Sequence, residues 1–372
     1  MSLSEKEIKA LEGFEYEALR DGTYKITSLK HKDSVARVEI PDCVSVIGQS
    51  AFFNCPTLES VTLPASVKII ENSAFMGCGS LADVNISEGV ARIESQAFCS
   101  CGALHAVNLP KTLSFLEGSA FYDCSALERI TVAEDNPCYL SLDGVLYTKD
   151  MKTLVAFPAG RVGSFTVPSG VKEIACAAFC GSVVLTEVTL PEGTERIGAE
   201  VFMGCISLTS VSIPDSVTEI GAKAFHECES LEEIDLPRGL KKISPYTFYH
   251  CEALRSARIP EGVTEICEGG FFCCEALKEL ELPLSLTRIG NRAFFSCGSL
   301  TALDVPPNTI EISDRAFFGC RSLEALRIPK SVEVIGEMAF GECDSLMVIR
   351  CEAQNGCFLA SFTESEEDIE DE

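Results

Sequence analysis

Tryptophan is absent from this chain of 372 residues, histidine occurs four times, and Lys and Arg together number 30 against 56 Asp and Glu. Each shortage removes a class of function. A formal charge of −26 repels phosphate backbones and anionic lipid, which are held by Lys- and Arg-rich surfaces, so neither nucleic acid nor membrane is an expected partner. No stretch of eighteen apolar residues is present for membrane insertion. Met1 to Lys9 carries Glu5, Lys6 and Glu7 where a secretory signal needs a basic start and an unbroken apolar run. His31, His105, His226 and His250 fall at unrelated places, so no nucleophile is given a base within hydrogen-bond reach. No glycine loop that would cradle a phosphate is seen. The expectation is a protein that is not an enzyme, with no cofactor and no metal.

What the chain does have is a period. Phe52, Phe75, Phe98 and Phe121 recur every 23 residues, as do Phe179, Phe202, Phe225, Phe248, Phe271, Phe294, Phe317 and Phe340. Counting from the apolar residue three after the column Cys, or after its equivalent before Val35, Val162 and Leu185, fourteen turns begin at Val35, Leu58, Leu81, Leu104, Leu127, Val162, Leu185, Leu208, Leu231, Leu254, Leu277, Leu300, Leu323 and Leu346. The one irregular step, Leu127 to Val162, contains a 12-residue insertion. Within a turn, Leu208-Thr-Ser-Val211-Ser-Ile213-Pro214 alternates apolar and polar residues before a proline, which reads as a short strand. Val217 and Ile220 supply a second apolar pair, and Ala224-Phe225 with Cys228 suggests a helical or 3₁₀ return. One turn cannot bury this apolar face alone, so the turns must stack, with their strands in one parallel sheet.

The resulting pattern, LxxVxLPxxVxxIxxxAFxxC, resembles the BspA-type leucine-rich-repeat family of bacteria and some protists. The resemblance spans Val35 to Cys351, and one isoleucine column alone runs through Ile47, Ile70, Ile93, Ile174, Ile197, Ile220, Ile243, Ile266, Ile289, Ile312 and Ile335. It implies a right-handed curved solenoid of about fourteen turns, with a parallel β-sheet on the concave face and short helical or 3₁₀ return segments. It also implies adhesion to, or interaction with, host or matrix proteins, and supplies no residue-level site.

Residues 1–34 are expected to cap the first turn: Ser4 with Glu7 fits a capping box, and Phe14 to Lys30 alternates around the hairpin signal Asp21-Gly22. The insertion, within 133–161, reads as a hairpin protruding from the fifth turn. Residues 352–372 are expected to form a C-terminal end with an acidic disordered tail, since seven of the negative charges lie in 364–372. Eleven cysteines share one repeat position, from Cys55 to Cys343, with Ser182 the exception among the Ala-Phe turns. Their parallel side-chain vectors suit a disulfide badly, and a buried ladder of small thiols is favoured over a zinc array. Such a column fits a reducing, cytoplasmic compartment; the family resemblance instead suggests the cell surface, with any export signal removed.

Two surfaces are candidates for binding. The outward column of the sheet includes Asp235, Arg258, Glu281, Asp304 and Arg327, where Asp235 with Arg258 and Asp304 with Arg327 are placed to pair across strands. Neither outward column carries an aromatic ring, which counts against sugar binding. After the Ala-Phe pair, Tyr249, Phe272, Phe295 and Phe318 form a stripe that either supports partner docking and self-association or packs as an outer layer of the core. The expected function is a non-enzymatic module binding a protein ligand of unspecified identity; the alternative is an exported cell-surface adhesion protein binding host or matrix proteins.

Overall fold

The structure, a computed structural model, describes residues 5–352. Ser4 of the capping box and the tail expected beyond 352 lie outside the described residues. The chain divides into two compact units, residues 1–163 with 170–185, and residues 164–169 with 186–372. Each is a parallel β-solenoid, a stack of the 23-residue turn with almost no helix, and the chain has about fourteen turns in all.

In the first unit the helix Glu5–Ala10 leads into Phe14–Ala18, which pairs antiparallel with Tyr24–Leu29. Asp21 tightens the turn between them by accepting hydrogen bonds from the Thr23 N–H and hydroxyl at 3.0 and 2.7 Å. Leu11, Phe14, Tyr24, Ile26 and Leu29 are buried, and Phe14 meets Phe52 edge-on at 6.3 Å. The first apolar turn is thereby covered. Behind it, Arg37–Glu39, Ser60–Thr62 and Asp83–Asn85 pair in parallel, with each residue opposite its own equivalent 23 positions on. Val38, Val61 and Val84 point inward while Glu39, Thr62 and Asn85 are exposed, as strand alternation requires.

The second apolar pair of each turn also builds a strand. Val44–Ile47, Ile69–Ile70, Arg92–Ile93 and Phe115–Leu116 form a second parallel ladder, so a turn has two strands where the sequence suggests one.

The return segment departs from the helical expectation, and its hydrogen bonds give the reason. The N–H groups of Ser50, Phe52 and Asn54 donate to Asn72, Ala74 and Met76 of the next turn at 2.7 to 3.1 Å, while those of Ala51 and Phe53 close three-residue turns onto Gly48 and Ser50. Alternate donors are committed to a neighbour, so the uninterrupted i to i−4 ladder of an α-helix cannot form. Ser50 and Asn54 adopt φ of 56° and 54°, and the same two positions are left-handed in most turns. A single 3₁₀ turn, Gly118–Phe121, remains among the described residues.

In the second unit, Leu185–Thr189 pairs with Ser210–Ser212, followed by the sets Glu233–Asp235, Ser256–Arg258 and Glu279–Glu281 and Ala302–Asp304, Ala325–Ile328 and Val348–Cys351. The expected continuous sheet is thus interrupted into short sets. Phe202, Phe225, Phe248, Phe271, Phe294, Phe317 and Phe340 stack at 5.0 to 5.5 Å and are buried almost completely. Burying each ring is worth roughly 2–3 kcal/mol, and no ring in the column is shielded without its neighbours.

The cysteine column has a specific role. The Phe75 carbonyl accepts the N–H of Cys78 in its own turn at 3.2 Å and the Sγ–H of Cys101 in the next at 3.2 Å. The same thiol bond, at 3.0 to 3.3 Å, links Cys78, Cys124, Cys228, Cys251, Cys274, Cys297, Cys320 and Cys343 to the phenylalanine carbonyl of the turn before. A carbonyl has two lone pairs, and the thiol fills the second. Burial pushes the Cys101 thiol up to about 12 and raises Cys274 and Cys320 well above the ordinary value, which keeps the donor proton in place.

Around the insertion the structure differs from the protruding hairpin. Tyr139–Leu142, Val145–Thr148 and Thr153–Ala156 form an antiparallel meander, and its third strand joins Glu173–Ile174 in parallel. Val145, Leu146, Tyr147 and Leu154 are buried, because the meander supplies core where a regular turn would otherwise lie. Val162 is 80% exposed despite standing at the first position of its turn. Phe157 and Ala159 are buried instead, and the Phe157 ring lies against that of Phe179 at 4.8 Å with the planes tilted by 31°.

Asn136, a residue the periodic pattern does not single out, fastens the start of the insertion. Its Nδ2 donates to the carbonyls of Pro110 and Leu113, both at 2.9 Å, and its Oδ1 accepts from the N–H groups of Cys138 and Tyr139, both at 2.8 Å. The side chain is fully buried. Asn136→Ala leaves those backbone groups without partners and is expected to cost ~3 kcal/mol, read as a lowered urea midpoint; an unchanged midpoint would show that the fastening contributes nothing.

Candidate interaction site

Both candidate surfaces lie in the second unit. On the strand face, Asp235 stands opposite Arg258 and Arg258 opposite Glu281, while Asp304 stands opposite Arg327. All five are exposed. The expected cross-strand ion pairs do not form: among the described residues, Asp235, Arg258, Glu281 and Asp304 make none within 4 Å, and Arg327 instead reaches Glu352 at 3.9 Å. Adjacent side chains project in parallel into water, where pairing two long chains gains too little to hold one geometry. Their charged heads are therefore left available.

Two adjoining depressions of about 570 and 740 Å³ lie along this face. The first is lined by Asp215, Asp235, Arg238, Arg258, Glu261 and Glu281, and the second adds Glu233 and Glu279. Arg238 is engaged with Asp215 at 3.4 Å. Carboxylates thus dominate, with Arg258 the cation at the centre.

The two-residue strands of this unit, Arg196–Ile197 beside Glu219–Ile220 and, in a separate set, Lys242–Ile243, Glu265–Ile266, Arg288–Ile289 and Glu311–Ile312, dispose of their charge differently. Arg196 meets Glu219 at 3.4 Å, and Arg288 bridges Glu265 at 2.8 Å and Glu311 at 3.2 Å. The alternation Arg196, Glu219, Lys242, Glu265, Arg288, Glu311, immediately before the isoleucine column, was there to be read in the sequence. It marks a self-neutralised surface.

The aromatic stripe is a stack. Tyr249 and Phe272 lie 4.9 Å apart, Phe272 and Phe295 4.7 Å, and Phe295 and Phe318 5.0 Å, with interplanar angles of 15° or less. All four are half-buried. Because ring faces are spent on one another, the stripe presents ring edges to solvent. At one end Gly341 fits where an added Cβ would come within 2.8 Å of the Phe318 ring. At the other end His226 extends the stack, 4.4 Å from Tyr249 and 14° from coplanar.

The histidines gather no catalytic set. His31 and His105 are exposed, and His226 and His250 both lie against Tyr249. The nearest carboxylate contacts of His226 and His250 are Glu227 at 3.6 Å and Glu252 at 3.4 Å. Among the described residues no group of three or more His, Cys, Asp or Glu side chains is arranged to hold a metal, and no helix is long and apolar enough to cross a membrane.

The family described as BspA type leucine rich repeat region matches at residues 26–137, 155–278 and 264–358. Among solved structures, a leucine-rich repeat protein from Eubacterium ventriosum is 24% identical with a TM-score of 0.67, over 82% of this chain and 92% of that one. One from Bacteroides ovatus is 23% identical with a TM-score of 0.53, over 91% and 92%. The pneumococcal vaccine antigen PcpA is 20% identical with a TM-score of 0.54, over 91% and 88%. At these identities the likeness establishes the fold alone. No curated protein sequence matches the chain.

His226 gives the stack a pH dependence. Its Nδ1 is buried without a hydrogen-bond partner, and desolvation lowers its pKa below the ordinary 6.5, outweighing the opposing pull of Glu227. The unfolded chain then takes up this proton first on acidification, so stability is present above pH 6.5 and is lost as pH falls below it. Between pH 7 and pH 5 the wild type is expected to lose more stability than His226→Phe, measured by urea unfolding at each pH; parallel curves would remove His226 from the account.

Proposed function

Because the chain belongs to the BspA-type leucine-rich-repeat family, we propose that it is a non-enzymatic interaction module that receives a protein ligand on the strand face of its second unit, centred on Arg258. The observation that carries this reading is the contrast in charge use. Arg288 is engaged on both sides and the ring faces of the stripe are stacked together, whereas Asp235, Arg258 and Glu281 stand in register beside a depression with no ion pair among the described residues. A ligand segment presenting basic side chains, with a carbonyl or carboxylate for Arg258, would make the complementary contacts. Repetition of the strand face extends such contacts along the stack.

Ligands identified by cross-linking to the native chain and then purified provide the test. Binding by Asp235→Ala/Glu281→Ala and by Arg258→Glu is expected to weaken at least about tenfold, equivalent to ~1.4 kcal/mol, with Arg288→Gln and Phe295→Ser unaffected. Loss of binding in Phe295→Ser alone, with that variant still folded, would transfer the site to the aromatic stripe. Fractionation of source cells separates an internal partner from a host or matrix partner met at the cell surface.

A further inference from the structure

The turns that begin at Leu277 and Leu300 carry two cations that the fold leaves unanswered. Arg292 and Arg315 stand at one repeat position, 23 residues apart, and three positions on come Phe295 and Phe318, whose rings lie 5.0 Å apart. The N–H groups of Phe295 and Phe318 close turns onto the carbonyls of Arg292 and Arg315, both at 3.2 Å. Each arginine therefore borders the aromatic stripe, as Tyr246 does at the same position, where its ring meets Tyr249 at 6.0 Å. Among the described residues neither arginine makes an ion pair within 4 Å. At the position just before this column, Asp314 accepts the Glu337 N–H at 2.8 Å and Glu268 the Tyr246 hydroxyl at 2.6 Å, so both carboxylates are engaged. Two like charges on neighbouring turns repel until an anion lies against them.

The complement lies on the same two turns. Glu281 and Asp304 also stand 23 residues apart, on strands of separate sets, and both are exposed and make no ion pair among the described residues. Three positions on come Leu284, 59% exposed, and Pro307, also exposed. Both halves therefore follow one pattern, a charge and then an apolar side chain, repeated on the next turn. One half is cationic and aromatic, the other anionic and aliphatic. The first sits on the return segment and the second beside the strand face, and no ion pair joins them within the chain.

We propose that the chain associates with a second copy of itself, the half formed by Arg292, Arg315, Phe295 and Phe318 docking on the partner's half formed by Glu281, Asp304, Leu284 and Pro307. Because the charges of each half are one turn apart, both arginines meet carboxylates together. Arginine and aromatic side chains are the usual anchors of an interface, and the ring edges left to solvent by the stripe would be covered in the same contact. Each copy keeps one half free after docking. The contact is therefore head-to-tail, and association grows with concentration where it does not close into a ring.

Charge complementarity selects this occupant. An anionic membrane would meet two unpaired arginines on a chain whose formal charge is −26, which repels its surface. A second copy instead brings carboxylates at the required one-turn spacing wherever the chain itself is present. The contact goes beyond the ligand site centred on Arg258 and shares only Glu281 with it. A patch this small gives weak association, with a dissociation constant on the order of 10 µM, and exposed ion pairs make it sensitive to salt.

Sedimentation velocity of the full chain across a dilution series tests this, with circular dichroism to establish that each variant is folded. The wild type is expected to associate reversibly, and less so at raised salt. Arg292→Glu/Arg315→Glu and Glu281→Lys/Asp304→Lys each set like charges against like, and each alone is expected to weaken association at least about tenfold. Mixed in equal amounts the two should associate again, because reversed arginine positions meet reversed carboxylate positions. A wild type that stays monomeric at the highest concentration overturns the proposal, as does either variant associating like the wild type or a mixture that stays dissociated. Phe295→Ser keeps this contact distinct from the ligand site: it is expected to lose self-association while ligand binding through Arg258 persists. A monomeric wild type that still binds its ligand through Arg258 would remove this inference alone.

Discussion

Everything in this protein depends on each turn presenting, every 23 residues, the same apolar and hydrogen-bonding groups at the same height as its neighbour. The phenylalanine column shows why the interval is so tightly held. A ring such as Phe271 packs between Phe248 and Phe294 at 5.0 and 5.2 Å, and its carbonyl accepts both the Cys274 N–H at 3.3 Å and the Cys297 thiol at 3.2 Å. A change of one residue in spacing would break the ring stack, both strand ladders and the thiol bond together. Stability in such a stack is shared between neighbours, so the terminal turns need covers, and the antiparallel strands Phe14–Ala18 and Tyr24–Leu29 supply one in the first unit.

The same constraint explains which surfaces carry information. Side chains inside the stack are fixed by their neighbours, and the two-residue strands before the isoleucine column neutralise one another in an alternating series. What varies without penalty is the outward strand face. There the first unit presents Thr62, Asn85 and Asn108, and the second presents Asp235, Arg258 and Glu281. Charges in that position are costly to neither packing nor register, which is where recognition by a folded scaffold is most easily altered. The aromatic stripe from Tyr249 to Phe318 is intermediate: half-buried, and self-stacked.

Much of this was legible in the sequence because the repeat is written in apolar residues whose spacing is visible without coordinates. The Phe and Cys columns, the first strand and the position of the insertion all follow from the period. The second ladder was less visible, since a two-residue strand has no alternation to read. The return path misled for a physical reason: Ala-Phe and Cys at close spacing look helical, but the inter-turn hydrogen bonds of Phe52 and Asn54 are invisible in a single turn. At Val162 the correct spacing concealed a displaced residue, because Phe157 and Ala159 had already filled the core. Asn136 was missed because its bonds reach 23 to 26 residues back and nothing in its own neighbourhood advertises them. On the strand face the register was legible, whereas the failure of Asp235, Arg258 and Glu281 to pair depended on side-chain geometry in water.

The claim that the turn interval governs the fold is tested most directly by deleting one turn from the second unit. Removal of residues 254–276, which joins Ala253 to Leu277 and brings Phe248 against Phe294, preserves every column. Removal of 254–274, two residues fewer, places Glu275 at a buried leucine position. Thermal unfolding should leave the first deletion cooperative with a midpoint within roughly 5 °C of the intact chain, a shift of order 1–2 kcal/mol, and should abolish cooperative unfolding of the second unit in the other. Equal stability of the two deletions would contradict the account, because the interval would then not be what holds the stack together.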